Sequence, residues 1–161
     1  MKSRDVIIGC VLAIACATTL AAPAQAAQND SRIMADGVML KNERTGLCLD
    51  GNNQGDVYTH ECGSTNPYQH WVFHTSEWYE DVMIQSTKTG RCLASKGSSV
   101  VGVACNSQDR SQQWAKTWVR DGLYALINES SRTAIDSDYA GKAYLRGYGS
   151  DNPYQHWYLS D

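Results

Sequence analysis

From residue 38 onward the chain is built of short apolar and β-branched runs, each three to five residues long, separated by clusters of turn-forming residues. The first stretch reads LKN, LCLD, DVYTH and HWVFH, with ERTG, GNNQG and GSTNP between them. Alternation over so few positions fits half-buried strands, and the intervening Gly, Asn, Ser and Pro supply turn geometry. No helical period appears in this part of the chain. The pattern predicts four short strands, and then it begins again.

Placed against itself at an offset of 86, the chain matches residues 40–71 to 126–157 without a gap, and 14 of those 32 positions are identical. NPYQHW stands at 66–71 and again at 152–157, with DRSQQW at 109–114 midway. Trp71, Trp114 and Trp157 are spaced 43 and 43, each two residues after Gln69, Gln112 or Gln155, and Leu40, Ile84 and Leu126 open the three units. A period of this length suits propeller blades or helix pairs as well as other repeats. Strand chemistry argues against helix pairs, and three blades are too few to close a ring. A single unit of about 40 residues buries too little surface to fold alone, so the units must share one core. The expected class is all-β, with twelve strands in three equivalent repeats.

Ahead of the repeats, MKSR carries positive charge, VIIGCVLAIACATTLAA is apolar, and Ala24 and Ala26 form a small-x-small site. This is the layout of a secretory signal peptide cleaved after Ala26. An uncleaved anchor is the alternative, because the apolar run approaches the length that spans a bilayer. Ile7-Ile8-Gly9-Cys10 loosely matches a lipoprotein box but has no apolar region ahead of it. The plan is a signal peptide at 1–26, an extension at 27–37 and one domain at 38–161, with repeats at about 38–78, 79–121 and 122–161. Localisation is expected to be extracellular, with no membrane insertion after cleavage.

The net charge of −3 becomes more negative without Lys2, Arg4 and Asp5, and no basic stripe appears, which excludes nucleic acid as a partner. Cys10 and Cys16 leave with the leader. Cys48, Cys62, Cys92 and Cys105 remain, an even number in an exported chain, which suggests disulfides.

Three Gln-x-Trp motifs at equal spacing, with TGLCLD at 45–50 and TGRCLA at 89–94 upstream, resemble the ricin B-type β-trefoil lectins from about residue 38 to the end. The resemblance implies a six-stranded barrel capped by three hairpins, with the repeated Trp in a shared core. CLDGNNQGDVYT followed by NPYQHW is most similar to the actinohivin-like lectins, which take high-mannose glycans. Of the three possible pairings, the repeat selects Cys48 with Cys62 and Cys92 with Cys105, each inside its own unit. The third unit has Ala134 and Tyr148 at those places and must rely on packing.

Unit two keeps Thr89, Gly90, Cys92, Leu93, Cys105, Gln112 and Trp114 but departs elsewhere. Units one and three share Asp50/Asp136, Tyr58/Tyr144, Asn66/Asn152 and Tyr68/Tyr154, where unit two has Ala94, Val101, Asp109 and Ser111. The fold closes without those four, so their retention in two units asks for a second reason. A carboxylate accepts from vicinal sugar hydroxyls with charge-strengthened bonds, and a tyrosine offers both an apolar face and a phenol donor. In the family, the Asp after Leu is the main hydroxyl acceptor and an aromatic residue on the next strand supports the sugar. Asp50, Tyr58 and Tyr68 match that pattern, as do Asp136, Tyr144 and Tyr154. The family often places Asn just after the second cysteine position, where this chain has Gly63 and Gly149 and unit two has Asn106. Asn66 and Asn152, on a loop one residue longer, are expected to reach the same space.

Structural readings stand beside these. Asp50 and Asp136 sit near hairpin turns, where Asp commonly bonds backbone N–H groups. Tyr58 and Tyr144 fit half-buried strand residues, Asn66-Pro67 and Asn152-Pro153 fit turns, and Gly55 and Gly141 fit hairpin turns. His70 and His156 lie between inward residues and are expected on the outer face, and His74 lacks the partners of a zinc set. No paired carboxylates or nucleophile motif indicates catalysis, and no cofactor or metal is expected. The resulting expectation is a secreted, non-enzymatic, monomeric lectin for glycans or polysaccharides with two sites. The rival is a protein-binding trefoil, such as a protease inhibitor or a toxin-associated module, in which the pockets are relics.

Overall fold

The computed structural model describes residues 37–75 and 81–160. The leader at 1–26 and nearly all of the extension at 27–37 lie outside these residues. Twelve strands follow in chain order: β1 (Val38–Asn42), β2 (Cys48–Gly51), β3 (Val57–His60), β4 (His70–Thr75), β5 (Asp81–Ser86), β6 (Cys92–Lys96), β7 (Ser99–Val103), β8 (Trp114–Arg120), β9 (Leu123–Asn128), β10 (Thr133–Ser137), β11 (Ala143–Gly147) and β12 (His156–Ser160). Three short 3₁₀ turns, Pro67–Gln69, Arg110–Gln112 and Pro153–Gln155, precede β4, β8 and β12.

Six strands close a ring. β1 pairs with β4, β4 with β5, β5 with β8, β8 with β9, β9 with β12, and β12 returns to β1, all antiparallel. Closure leaves this layer without an open edge, which an isolated strand set of this size would expose. The remaining six strands form three hairpins, β2–β3, β6–β7 and β10–β11, each joined to the ring by a single residue pair. This is the β-trefoil that the family resemblance implies, built on the three β units that the repeat predicts.

The shared core is threefold as well. Leu40, Ile84 and Leu126 from the ring, Leu49, Leu93 and Ile135 from the hairpins, and Trp71, Trp114 and Trp157 are all buried together. An indole N–H placed in such a core must find an acceptor. Trp71 Nε1 donates to the Leu49 carbonyl at 3.0 Å, Trp114 Nε1 to Leu93 at 3.1 Å and Trp157 Nε1 to Ile135 at 3.0 Å. The same atom that fills the core therefore ties each ring strand to its hairpin.

At the hairpin end the units interlock head to tail. Thr59 N–H donates to Gly141 O at 2.9 Å, Leu145 N–H to Ser98 O at 2.7 Å, and Gly102 N–H to Gly55 O at 2.8 Å. This closes a cycle around the threefold axis. Gly55 and Gly141 have φ of +94° and +82°, and an added Cβ would lie 2.4 Å from Gly102 O and 2.9 Å from Thr59 O, respectively. Their purpose is thus wider than the turn itself: they admit the neighbouring unit's backbone.

Disulfides join Cys48 to Cys62 and Cys92 to Cys105. Loops of 14 and 13 residues should contribute roughly 3 kcal/mol each by the chain-entropy account. One expectation is overturned. His156 does not lie on the outer face but is buried, with Nδ1 2.9 Å from Glu43 Oε2. The reason is tertiary: Glu43, held on its other side by Arg120, folds over the β12 start. His70 is half-buried with Nδ1 3.0 Å from Asn66 O, and His74 is exposed.

Candidate functional site

Register places the acids and phenols together. In the β2–β3 hairpin Asp50 faces Tyr58, in β10–β11 Asp136 faces Tyr144, and in β6–β7 the equivalent pair is Ala94 and Val101. Directly opposed residues of an antiparallel pair project from the same face. Since the other face of each hairpin carries Leu49, Leu93 or Ile135 into the core, the pairs lie on the outward side.

Asp50 and Asp136 are nonetheless only 3% and 1% exposed, and neither uses main-chain amides as turn acids do. Asp50 Oδ2 accepts from Asn66 Nδ2 at 2.8 Å and Gln69 Nε2 at 3.1 Å. Asp136 Oδ2 accepts from Asn152 Nδ2 at 3.2 Å and Gln155 Nε2 at 3.1 Å. The second oxygen of each carboxylate, Oδ1, is buried without a hydrogen bond of good geometry, and the Tyr58 or Tyr144 phenol across the hairpin is the donor that acts on the carboxylate. A buried carboxylate oxygen without a well-placed donor is costly, and its repetition in two units marks a place where one is wanted. The turn acid of unit three is instead Asp138, whose Oδ1 accepts from Ala140 N at 2.9 Å and Lys142 N at 3.0 Å.

Tyr58 and Tyr144 are half-buried beside these acids. Burial, and secondarily the negative charge of Asp50 or Asp136, pushes both phenols above the ordinary tyrosine pKa. Each therefore stays protonated, able to donate, throughout the neutral range.

Asn66 and Asn152 hold two tasks at once. Each caps the following 3₁₀ turn, with Oδ1 accepting from Tyr68 N at 3.1 Å or Tyr154 N at 3.2 Å, while Nδ2 donates to the carboxylate. The turn reading of these asparagines holds, and the same side chains reach the carboxylates. Each Gln is scaffold: Gln69, Gln112 and Gln155 accept from the backbone N–H of Gly63, Asn106 and Gly149 at 2.8–2.9 Å, and each donates to a backbone carbonyl in the same loop.

Unit two is not a simple loss. Asp109, in the asparagine position, caps its turn through Oδ1 from Ser111 N at 2.9 Å and accepts from Gln112 Nε2 at 3.2 Å through Oδ2. The Ser111 hydroxyl and backbone N–H hold its carboxyl below the ordinary range. One carboxylate has moved from the strand to the cap, so the Gln amide keeps its acceptor when Ala94 replaces the acid. A hollow of about 490 Å³ remains there, lined by Ala94, Val101, Asp109 and Ser111 among others. It lacks the acid–phenol pair.

The unit-three hollow measures about 400 Å³ and is lined by Asp136, Tyr144, Asn152 and Tyr154, together with Tyr139 and Arg146. Four of the eight residues expected at the sites thus line one cavity. Asp50, Tyr58, Asn66 and Tyr68 repeat the arrangement in unit one through the same hydrogen bonds and register.

Other site neighbours escaped the sequence reading. The Arg44 guanidinium stands 5.9 Å from the Tyr154 ring centre, and Lys88 Nζ stands 5.9 Å from that of Tyr68. Each cation comes from the next unit around the ring, so the sites straddle unit boundaries. The signal was present in ERTG and TKTG, whose basic residue is replaced by Ser130 in the third repeat.

The ricin-type beta-trefoil lectin domain matches residues 36–157 of this chain. No curated protein sequence matches it significantly. Among solved structures, the designed threefold symmetric protein ThreeFoil superposes with a TM-score of 0.67 at 22% identity, covering 77% of this chain and 97% of that one. SeviL bound to asialo-GM1 saccharide gives a TM-score of 0.65 at 18% identity, over 76% of this chain and 94% of that one. A chain of the cytolethal distending toxin from Actinobacillus actinomycetemcomitans gives 0.69 at 13% identity, over 80% and 92%. At these identities the likeness concerns the fold. The interlocked trefoil, the Gln-anchored turns and a domain match spanning all three repeats agree: the chain belongs to the ricin-type β-trefoil lectin domain family.

Proposed function

We propose that this protein is a secreted, non-enzymatic lectin that binds glycans through two sites, one in unit one and one in unit three. The carrying observation is the buried carboxylate with one oxygen lacking a well-placed donor, set at a hollow beside a protonated phenol and an asparagine amide. A sugar's vicinal hydroxyls supply better-placed donors, and its C–H face packs on the tyrosine rings. Asp50, Tyr58, Asn66 and Tyr68 form the first site; Asp136, Tyr144, Asn152 and Tyr154 form the second. Each site offers one acid rather than the opposed pair that glycoside hydrolysis requires. The preferred ligand is a high-mannose glycan, on the similarity of CLDGNNQGDVYT and NPYQHW to the mannose-reading lectins. A rigid monomer with two weak sites gains on the order of 10²–10⁴ in avidity on a branched or surface-borne glycan.

Glycan-array binding of the purified protein beside an Asp50→Asn/Asp136→Asn double variant tests this. Binding to α-mannosyl glycans that disappears in the folded double variant supports the proposal. Unchanged binding in that variant moves the site elsewhere. The toxin among the structural neighbours favours a second reading, a protein-binding module with relic pockets; silence across the whole array with the native protein would support it.

A further inference from the structure

The two sites share their acid, phenol and asparagine, but their hairpin tips differ. Tyr139, at the tip between β10 and β11, is 64% exposed and lines the unit-three hollow. Its ring meets that of Tyr154 edge-on, with centres 6.0 Å apart and planes at 89°. Its hydroxyl donates to Arg44 O at 3.1 Å, which fastens the tip to the neighbouring unit. An aromatic side chain this exposed gains little from burial, yet it is held in place. Its hydroxyl is committed to the backbone, so what it presents to a ligand is its face.

The same position in unit one is Asn53, which presents no face and donates Nδ2 to the Tyr68 hydroxyl at 3.3 Å. Unit two has no counterpart, because β6 and β7 are joined by the two-residue turn Gly97-Ser98, with Lys96 paired to Ser99. Unit three alone has two aromatic walls meeting at a right angle beside the acid.

Resting on the glycan reading above, we infer that Tyr139 makes the unit-three site a two-residue site. One pyranose occupies the Asp136–Tyr144–Asn152 floor, and the next pyranose of the chain lays its apolar C–H face on Tyr139. The unit-one site holds a single terminal residue. The protein then reads a glycan asymmetrically, taking an internal or disaccharide segment in unit three and a chain end in unit one.

Amide NMR titration of the native protein with methyl α-mannopyranoside and with a methyl α-mannobioside follows each site separately through residues such as Gly51 and Ser137. The expected preference for the disaccharide over the monosaccharide is about tenfold greater in unit three than in unit one, the scale of one added aromatic contact. Tyr139→Asn should reduce the unit-three preference to that of unit one, while Tyr139→Phe should retain most of it. Asn53→Tyr should raise the preference in unit one. Equal preferences in the two units, or a unit-three preference untouched by Tyr139→Asn, overturns the inference while leaving the lectin reading intact. Absence of shifts with either sugar at either site overturns the mannosyl preference and this inference with it, while the glycan array decides the lectin reading.

Discussion

Replacing Asp136 by alanine separates the structural load of the carboxylate from its proposed role toward sugar. The substitution removes a charged acceptor shared by Gln155 and Asn152. Gln155 is fully buried, so its freed N–H has no access to water and costs about 1–3 kcal/mol. Asn152 is only half-buried, and water can replace its bond at a smaller loss. Against this stands relief from burying a carboxylate whose Oδ1 has no well-placed donor. The balance is a destabilisation of about 2 kcal/mol, which at an m-value of about 1–3 kcal/mol/M moves the urea midpoint down by roughly 1 M. Asp136→Asn retains an amide oxygen that can accept from Gln155 and should lose about half as much. Urea unfolding followed by tryptophan fluorescence measures all three proteins, with Asp109→Ala as the matched control, since Asp109 serves Gln112 in the same way. Should Asp136→Ala leave the midpoint where it was, the acid–amide network carries no load and the account of why unit two relocated its carboxylate fails.

Two further outcomes follow from the geometry. Gly55→Ala drives a Cβ to 2.4 Å from Gly102 O at a φ of +94° and should destabilise by about 3 kcal/mol or more, whereas Gly46→Ala, at +72° with open space around it, should lose only about 1–2 kcal/mol; equal losses in thermal unfolding would refute the interlocked axis. Tyr58 and Tyr144 have phenol pKa values raised in the folded state, first by burial and then by the acids beside them. Above about pH 10 the unfolded chain therefore releases these protons first and stability falls as pH rises through the folded values. The Asp50→Asn/Asp136→Asn variant should show a shallower alkaline decline in its urea midpoint, and an identical slope would contradict the carboxylate's part.

Much of the site was legible because its residues recur. Asp50, Tyr58, Asn66 and Tyr68 stand out by comparison with their partners 86 residues later, and the hairpin register then sets Asp50 opposite Tyr58 on one face. What alternation could not show is the manner of bonding. The acids sit within strands, bonded to side-chain amides from a turn 16 to 19 residues away, instead of capping local backbone. His156 shows the same limit: strand periodicity sends it outward, and Glu43 from 113 residues away covers it.

The sequence by itself determined three β units around one core, and the resemblance of its Gln-x-Trp motifs to the trefoil lectins implied how they close. Three units, each too small to bury a core, with Trp and Leu at equivalent places, have to close on one another, and the turn residues set where each strand ends. Only the tertiary structure decided what completes each pocket, because the ring brings Arg44 to Tyr154 and Lys88 to Tyr68 across unit boundaries and pins Tyr139 against a loop 95 residues distant. Repetition along a chain records what each unit shares; the contacts that distinguish one unit from another arise between units, where linear spacing carries no information about distance.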